Sequence, residues 1–246
     1  MQNCIPNNWV EILLEWFHKN KRSLPWRIDR TPYKVWISEI MLQQTRVTAV
    51  VSYYQRFIAQ FPTVEFLAAA SLEDVYKLWE GLGYYSRAKN LYLAAHTIVE
   101  KYHGVFPDTP TEILQLPGIG DYTTGAIMSI AFNKPFPAID GNVLRLMSRL
   151  TNDFTDVKTT QFTRKVKESL QKIYPIKQAR DFTEALMEFG SLVCVPVQPN
   201  CGECPLKEQC AGYLSGNQNV LPIKKTKAKS VVVKMSVAII ECCEKV

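Results

Sequence analysis

The pattern of apolar and polar positions along the chain is helical almost throughout. In segment 9–19, apolar residues recur at the three- and four-residue spacing of an amphipathic helix. Further segments of helical period are separated by breaks that mostly contain Pro or Gly, and they lie at 33–59, 64–70, 72–80, 86–102, 141–150, 159–173 and 179–193. No alternating strand pattern occurs before residue 219, so we predict an all-α body.

One corner between two short apolar helices has an unusual composition. Residues 116–120 read Leu-Pro-Gly-Ile-Gly, and apolar positions of helical period precede and follow them. Gly118 and Gly120 allow positive φ and a sharp reversal, which predicts a helical hairpin. The amides of the turn and the start of the second helix would suit a phosphate. A hairpin with a purely structural role explains the same pattern equally well.

Four of the seven cysteines are concentrated in one polar, Pro-rich stretch. Cys194, Cys201, Cys204 and Cys210 are separated by six, two and five residues. In a chain without an evident export signal, this spacing indicates a metal or cluster rather than disulfides. Zinc and a [4Fe–4S] cluster both accept four cysteine ligands. The single pair separated by two residues fits paired zinc knuckles less well.

Composition and net charge exclude only a few classes of protein. With 47% hydrophobic residues, the sequence is that of a globular protein. No apolar run approaches the roughly 18–20 residues of a membrane helix, and the N-terminus resembles neither a secretory nor a transit signal. The net charge is +6, but six lysines and two glutamates give segment 216–246 a charge of +4. The rest is mildly basic, so charge alone does not establish a nucleic-acid partner.

Taken together, these motifs resemble the helix–hairpin–helix DNA glycosylases of the endonuclease III superfamily, and more closely the adenine DNA glycosylases of the MutY family. The glycine turn, an aspartate about twenty residues after it and the cysteine loop carry the wider resemblance. The closer one covers roughly 8–222. It rests on Leu-Pro-Trp-Arg at 24–27, Thr-Pro-Tyr-Lys-Val-Trp at 31–36, Ser-Glu-Ile-Met-Leu-Gln-Gln-Thr at 38–45 and Gly-Leu-Gly-Tyr-Tyr at 81–85.

The resemblance implies two helical lobes with a DNA cleft between them. A six-helix barrel at 26–134 would carry the hairpin, and a second lobe at 1–25 and 135–215 would hold a [4Fe–4S] cluster on the four cysteines. Segment 216–246 would be a basic linker followed by the first strand of an incomplete C-terminal domain. Because that domain helps the family to recognise 8-oxoguanine, we expect adenine chemistry to survive and discrimination of 8-oxoguanine from guanine to weaken.

The activity that the resemblance implies is removal of adenine mispaired with 8-oxoguanine or guanine. The partner would be double-stranded DNA, from which the adenine is extruded into a pocket. We expect a monomer with no membrane association, cytoplasmic in the bacterial manner and associated with the nucleoid.

Cleavage of an N-glycosidic bond places negative charge on the leaving base and positive charge on the sugar. An acid for the base and an anion near the sugar are therefore needed. Glu39 lies in an apolar helical segment, where desolvation would keep it protonated, and it matches the general acid of the family. Asp140 is a helix N-cap by its sequence context and matches the catalytic aspartate. A solvent-facing helix residue is the structural alternative for Glu39.

Tyr122 separates two kinds of chemistry. Relatives that also cut the strand carry at this position a lysine that forms a Schiff base, and neither neighbour of Tyr122 is a lysine. We therefore predict a hydrolytic glycosylase with little lyase activity. Asn142 matches a polar position of the family beside the reaction centre.

The remaining candidates match family residues that bind DNA or the extruded base. Arg27 and Glu184 are assigned to the substrate pocket, and Gln44 and Tyr84 to insertion into the duplex. The Gly118 and Gly120 amides are assigned to the DNA backbone. An ordinary exposed helix residue is the alternative for Glu184, and core packing is the alternative for Tyr84.

Three other functions are consistent with parts of the pattern. An endonuclease III-like glycosylase and lyase for oxidised pyrimidines is disfavoured by the missing lysine. A non-catalytic DNA-binding module is disfavoured by the presence of both Glu39 and Asp140. A zinc-binding helical adaptor would hold zinc instead of an iron–sulfur cluster and would therefore be colourless.

Overall fold

The computed structural model describes residues 8–225, and within this range the chain is built of helices and turns without a strand. The all-α prediction is confirmed. The strand predicted to follow the basic linker, within segment 216–246, lies outside the described residues. The helices are α1 (Trp9–Asn20), α2 (Pro32–Leu42), α3 (Val47–Gln60), α4 (Val64–Ala69), α5 (Leu72–Trp79), α6 (Ser86–Tyr102), α7 (Pro110–Leu114), α8 (Asp121–Ala126), α9 (Gly141–Leu150), α10 (Thr160–Gln171), α11 (Ala179–Leu192) and α12 (Ala211–Leu214).

Five of the twelve α-helices in the described range begin with a side-chain cap, at Thr31, Ser71, Thr109, Asp140 and Thr159. The Thr31 side chain accepts a hydrogen bond from the Lys34 amide, and Pro32 occupies the first helical position of α2. Ser71 and Thr159 cap α5 and α10 in the same way. None of the helices in the described range is long and apolar enough to cross a bilayer.

The predicted single helix at 33–59 is wrong, because the chain breaks between Leu42 and Val47. The cause is a side chain that is distant in sequence. The guanidinium of Arg87 donates to the carbonyls of Ile40, Met41 and Gln43 at 2.8, 3.1 and 2.7 Å. These bonds satisfy carbonyls at the end of α2 and fix the loop that separates it from α3.

The buried apolar side chains form two clusters. The first is drawn from 24–138 and centres on α2, α3, α5, α6 and the hairpin. The second joins α1 to the later helices α9, α10 and α11, and it ends at Leu206. Met187 of α11 packs against the first cluster, which brings the two lobes together beside α2. The domain boundaries given above stay a prediction.

The hairpin consists of α7, the turn at 115–120 and α8, which continues into a π-helical turn, Ile127–Ala131. Gly118 has φ +76°, and a Cβ at this position would lie 2.6 Å from Cβ of Asn90. Glycine is therefore required at position 118, both for the positive φ and because a side chain would collide with Asn90. Gly120 has φ −111°, which any residue adopts, so the expectation of positive φ holds only for Gly118.

Candidate active site

A cavity of about 220 Å³ lies between the two lobes. Its apolar wall includes Leu24, Trp26, Val35, Leu42 and Met187. Six predicted site residues also line it: Arg27, Glu39, Tyr122, Asp140, Asn142 and Glu184. An apolar cleft with a few converging polar groups is typical of a small-molecule or base-binding pocket.

Glu39 lies on the inner face of α2 and is 5% exposed, which excludes the solvent-facing alternative. The Tyr122 hydroxyl donates to Glu39 Oε2 at 2.6 Å. Burial raises the pKa of Glu39 to about 7, and the nearby Asp140 and Glu184 carboxylates add to this shift. The Tyr122 hydrogen bond and Arg27 oppose it. Glu39 can therefore hold a proton near neutral pH, as a general acid requires.

Asp140 has both the position of a helix cap and that of a pocket carboxylate. Its Oδ1 accepts from the Val143 amide at 2.8 Å, which confirms the N-cap of α9, and its Oδ2 accepts from Asn142 Nδ2 at 2.6 Å. Burial raises the pKa of Asp140, while these hydrogen bonds lower it. The bonds leave Asp140 oriented and stabilise its ionised form.

Asn142 is itself held by a buried arginine that connects the pocket to the cysteine stretch. Arg145 donates to Asn142 Oδ1 at 2.8 Å, to the Gly190 carbonyl at 2.7 Å and to the Cys194 carbonyl at 2.8 Å. The orientation of Asp140 therefore depends, through Asn142 and Arg145, on the backbone at Cys194.

The four cysteines line one cavity, apart from the pocket, beside Arg149. Arg149 Nη1 lies 3.4 Å from Cys194 Sγ and donates to the Val195 carbonyl at 2.7 Å. No carboxylate lines this cavity. Within 8–225, no three His, Cys, Asp or Glu side chains are close enough together to hold a single metal ion.

Comparison with protein families gives one match that covers more than half of the chain. The model of the HhH-GPD superfamily base excision DNA repair proteins matches residues 37–175, a range that contains Glu39, the hairpin and Asp140. The chain belongs to this superfamily. The family relationship predicted from the motifs is thereby confirmed.

Two individual proteins are similar in sequence to this chain over most of its length. The adenine DNA glycosylase of Buchnera aphidicola subsp. Acyrthosiphon pisum (strain APS) is 42% identical over 218 residues, which are 88% of this chain and 62% of the relative. The adenine DNA glycosylase of Mus musculus is 42% identical over 210 residues, or 82% and 41% of the two chains. The chain thus spans less than two thirds of these relatives.

A solved structure described as that of a thermostable thymine-DNA glycosylase superposes with a TM-score of 0.77 at 28% identity. The match covers 84% of this chain and 95% of the other. The two lobes described above are therefore an arrangement that the HhH-GPD chain shares with a solved DNA glycosylase.

The HhH-GPD pocket also contains an ion network that the sequence analysis missed. Glu188 accepts from Arg22 Nη2 at 2.6 Å and from Arg27 Nη2 at 3.1 Å, while Arg30 Nη2 donates to Glu184 at 2.9 Å. Burial alone would raise the pKa of Glu188, but the arginine hydrogen bonds outweigh it and lower the pKa to about 2. Glu184 is thus a buried, paired carboxylate rather than an exposed helix residue.

Four predicted residues lie outside the pocket, on the surface of the HhH-GPD fold. Gln44 is exposed in the α2–α3 loop with φ +57°. Tyr84 is 62% exposed, so the core-packing alternative is wrong. Gly118 and Gly120 are exposed in the hairpin turn. Arg87, in the first turn of α6, donates to the internal carbonyls of Ile40 and Leu82.

Proposed function

We propose that this chain is an adenine DNA glycosylase that hydrolyses the N-glycosidic bond of adenine opposite 8-oxoguanine or guanine. The observation that carries the proposal is the buried Glu39, with its pKa near neutrality, facing one pocket with Asp140. The relatives named adenine DNA glycosylase support adenine as the base.

The reaction follows from the placement of the two carboxyl groups. Extruded adenine enters the pocket, and protonated Glu39 donates a proton to N7. The protonated base then takes the electrons of the breaking bond and leaves as neutral adenine. Ionised Asp140 stabilises the positive charge that develops on the sugar. Glu39, now a carboxylate, accepts a proton from the water that adds to the sugar carbon. Tyr122 orients Glu39 through its hydroxyl.

The arginine–glutamate network sets the polarity of the rest of the pocket. Arg22, Arg27 and Arg30 neutralise Glu184 and Glu188, which leaves Glu39 and Asp140 as the carboxyl groups available for chemistry. Glu184 retains acceptor capacity for the exocyclic amino group of adenine. This supports its assignment to base recognition.

Contacts with duplex DNA would come from the exposed surface residues. The amides of Gly118 and Gly120 donate to no acceptor within the described residues and are free to bind a backbone phosphate. Gln44 and Tyr84 protrude from two loops that Arg87 holds together, and this supports their insertion into the duplex.

We assign a [4Fe–4S] cluster to Cys194, Cys201, Cys204 and Cys210. The donor set fits, since four thiols line one cavity without a carboxylate and the Arg149 guanidinium compensates negative charge. When bound, the cluster would be structural and tie the loop at 194–210 to α9. Through the Arg145 hydrogen bonds, this would hold Asn142 and Asp140 in place.

The cofactor assignment predicts a brown protein. Purified anaerobically, the chain should show broad visible absorbance and contain about four iron and four sulfide per chain. Replacing Cys204 with Ser should bleach the absorbance and lower the melting temperature. A colourless wild-type chain with one zinc would contradict the assignment.

The function is tested by products released in a single turnover. Incubated with a duplex that carries adenine opposite 8-oxoguanine, the chain should release free adenine and leave the strand intact until alkali is added. Because Tyr122 replaces the Schiff-base lysine, borohydride should trap no stoichiometric adduct. A duplex with thymine opposite guanine is the matched control. Release of thymine alone, or a trapped adduct, would contradict the proposal.

A further inference from the structure

A second groove lies on the other side of Tyr122, between α8 and α10, and we call it the α8–α10 groove. It has a volume of about 330 Å³. Its floor is formed by Tyr122, Pro137 and Ile139, and Asp121 of α8 is the one acidic residue among those that line it. Its rim is formed by Lys158, Thr160, Thr163, Arg164 and Lys167 of the α10 region. None of these rim residues belongs to the motifs that carry the family resemblance.

The rim carries three cationic side chains that are accessible to a ligand. Lys158 and Arg164 are exposed, and Lys167 is 41% exposed. Within the described residues, Arg164 has one ion pair, with Glu168 at 3.9 Å. Lys167 lies 3.8 Å from the 84%-exposed Asp121 and 5.2 Å from the ring centroid of Phe136. Such long, exposed ion pairs contribute little, so the cations can exchange these partners for phosphate.

Further positive charge lies beside the groove, on the segment at the end of the described residues. The Val157 amide donates to the Ile223 carbonyl at 3.1 Å, and the Lys225 amide lies 3.3 Å from Asp156 Oδ2. Exposed Lys224 and Lys225 therefore lie beside the start of α10. The basic surface extends beyond the three rim cations.

The position of the groove points to one occupant. Tyr122 lines both the groove and the catalytic pocket, so a strand whose base enters the pocket must pass the groove with its neighbouring nucleotides. Successive phosphates of one strand are separated by about 3.4 Å along the axis of a duplex, so more than one phosphate would lie beside the rim. Apolar sugar faces would lie on Pro137 and Ile139, and the threonine hydroxyls would donate to phosphate oxygens.

We propose that the α8–α10 groove binds the sugar–phosphate backbone of the adenine-bearing strand next to the extruded nucleotide, with Lys158, Arg164 and Lys167 as phosphate ligands. This rests on the proposed function, since it assumes that DNA is the substrate. The contacts carry no base specificity and fix the register of the strand.

The test measures binding in a Glu39→Gln background, so that the duplex with adenine opposite 8-oxoguanine is not cleaved. Replacing Lys158, Arg164 and Lys167 together with Gln should weaken binding about 10- to 100-fold and reduce the slope of log affinity against log salt by about 2 to 3. Lys172→Gln, which removes a charge immediately after the last residue of α10 and outside the groove, should change affinity less than about 2-fold. The melting temperature of each variant shows whether it is folded. The single variant Arg164→Gln, which perturbs the fold less than the triple variant, provides a second control for misfolding.

The strand is identified with neutral methylphosphonate linkages. Neutralising phosphates beside the adenine should weaken binding of the parent but not of the triple variant, because the ligands are already absent. Equal losses in both proteins, an effect confined to the opposite strand, or an unchanged salt slope would each overturn the inference.

Failure of the inference differs from failure of the proposed function. With Glu39 intact, Lys172→Gln should release adenine at the wild-type single-turnover rate, and the triple variant should need about 10- to 100-fold more protein to reach half of its own maximal rate. Adenine release by the wild type with unchanged binding by the variant would overturn the groove alone. A wild type that releases no adenine would overturn the function, while the binding comparison would still report on the groove.

Discussion

Glu39→Gln is expected to lower the single-turnover rate of adenine release by about 10²- to 10⁴-fold, the contribution of a well-placed general acid. Glutamine has nearly the same shape and can still accept the Tyr122 hydrogen bond, but it has no transferable proton. The pocket should therefore keep its form, and affinity for the uncleaved duplex should remain within a few-fold of wild type.

The matched control for Glu39 is Glu15→Gln, the same change at an exposed position of α1. Its rate should equal that of wild type. A Glu39→Gln variant as active as Glu15→Gln would end the role of Glu39 as an acid. Tyr122→Phe should have a smaller effect, because it removes only the group that orients the acid.

Asp140→Asn is expected to lower the single-turnover rate by about 10²- to 10³-fold with little loss of stability. Asparagine caps helices about as well as aspartate, so α9 keeps its start, but the negative charge opposite the developing sugar cation is lost. Asp140→Ala should lose both, with a further decrease of about 1 kcal/mol in the free energy of unfolding.

Single-turnover kinetics and urea melts on the two Asp140 variants separate these roles. If Asp140→Asn were fully active while Asp140→Ala was inactive, the residue would act only as a cap. Equal rate losses in both variants, with the stability loss confined to alanine, would support the two roles assigned to it.

Much of the fold could be predicted because helix limits depend on neighbouring residues. Thr31 with Pro32, and Asp140 before Gly141, mark helix starts by contacts within three residues. The break after Leu42 could not be predicted, because the group that ends α2 is Arg87, more than forty residues away. No local pattern indicates such a bond.

The same distinction applies to the site. Glu39, Asp140 and Tyr122 stand in recognisable motifs, so they could be named from the sequence, although the roles assigned to them stay predictions. Glu188 and Arg145 could not, since they act through contacts with Arg22 and Cys194, which are distant in sequence and come together only in the folded chain. Two glutamates one turn apart in the apolar α11 were the available signal for the ion network.

The proposed reaction depends on the proton of Glu39, and the pH dependence of adenine release reports the pH range in which this residue keeps it. Burial raises its pKa from the ordinary value to about 7, and the acid acts while protonated. Single-turnover rates on the duplex with adenine opposite 8-oxoguanine, measured from about pH 5 to about pH 9, should therefore stay high up to neutrality and fall above pH about 7. A rate that has already fallen by pH about 5.5, as for an ordinary glutamate, or one that stays constant to pH about 9, would contradict the account.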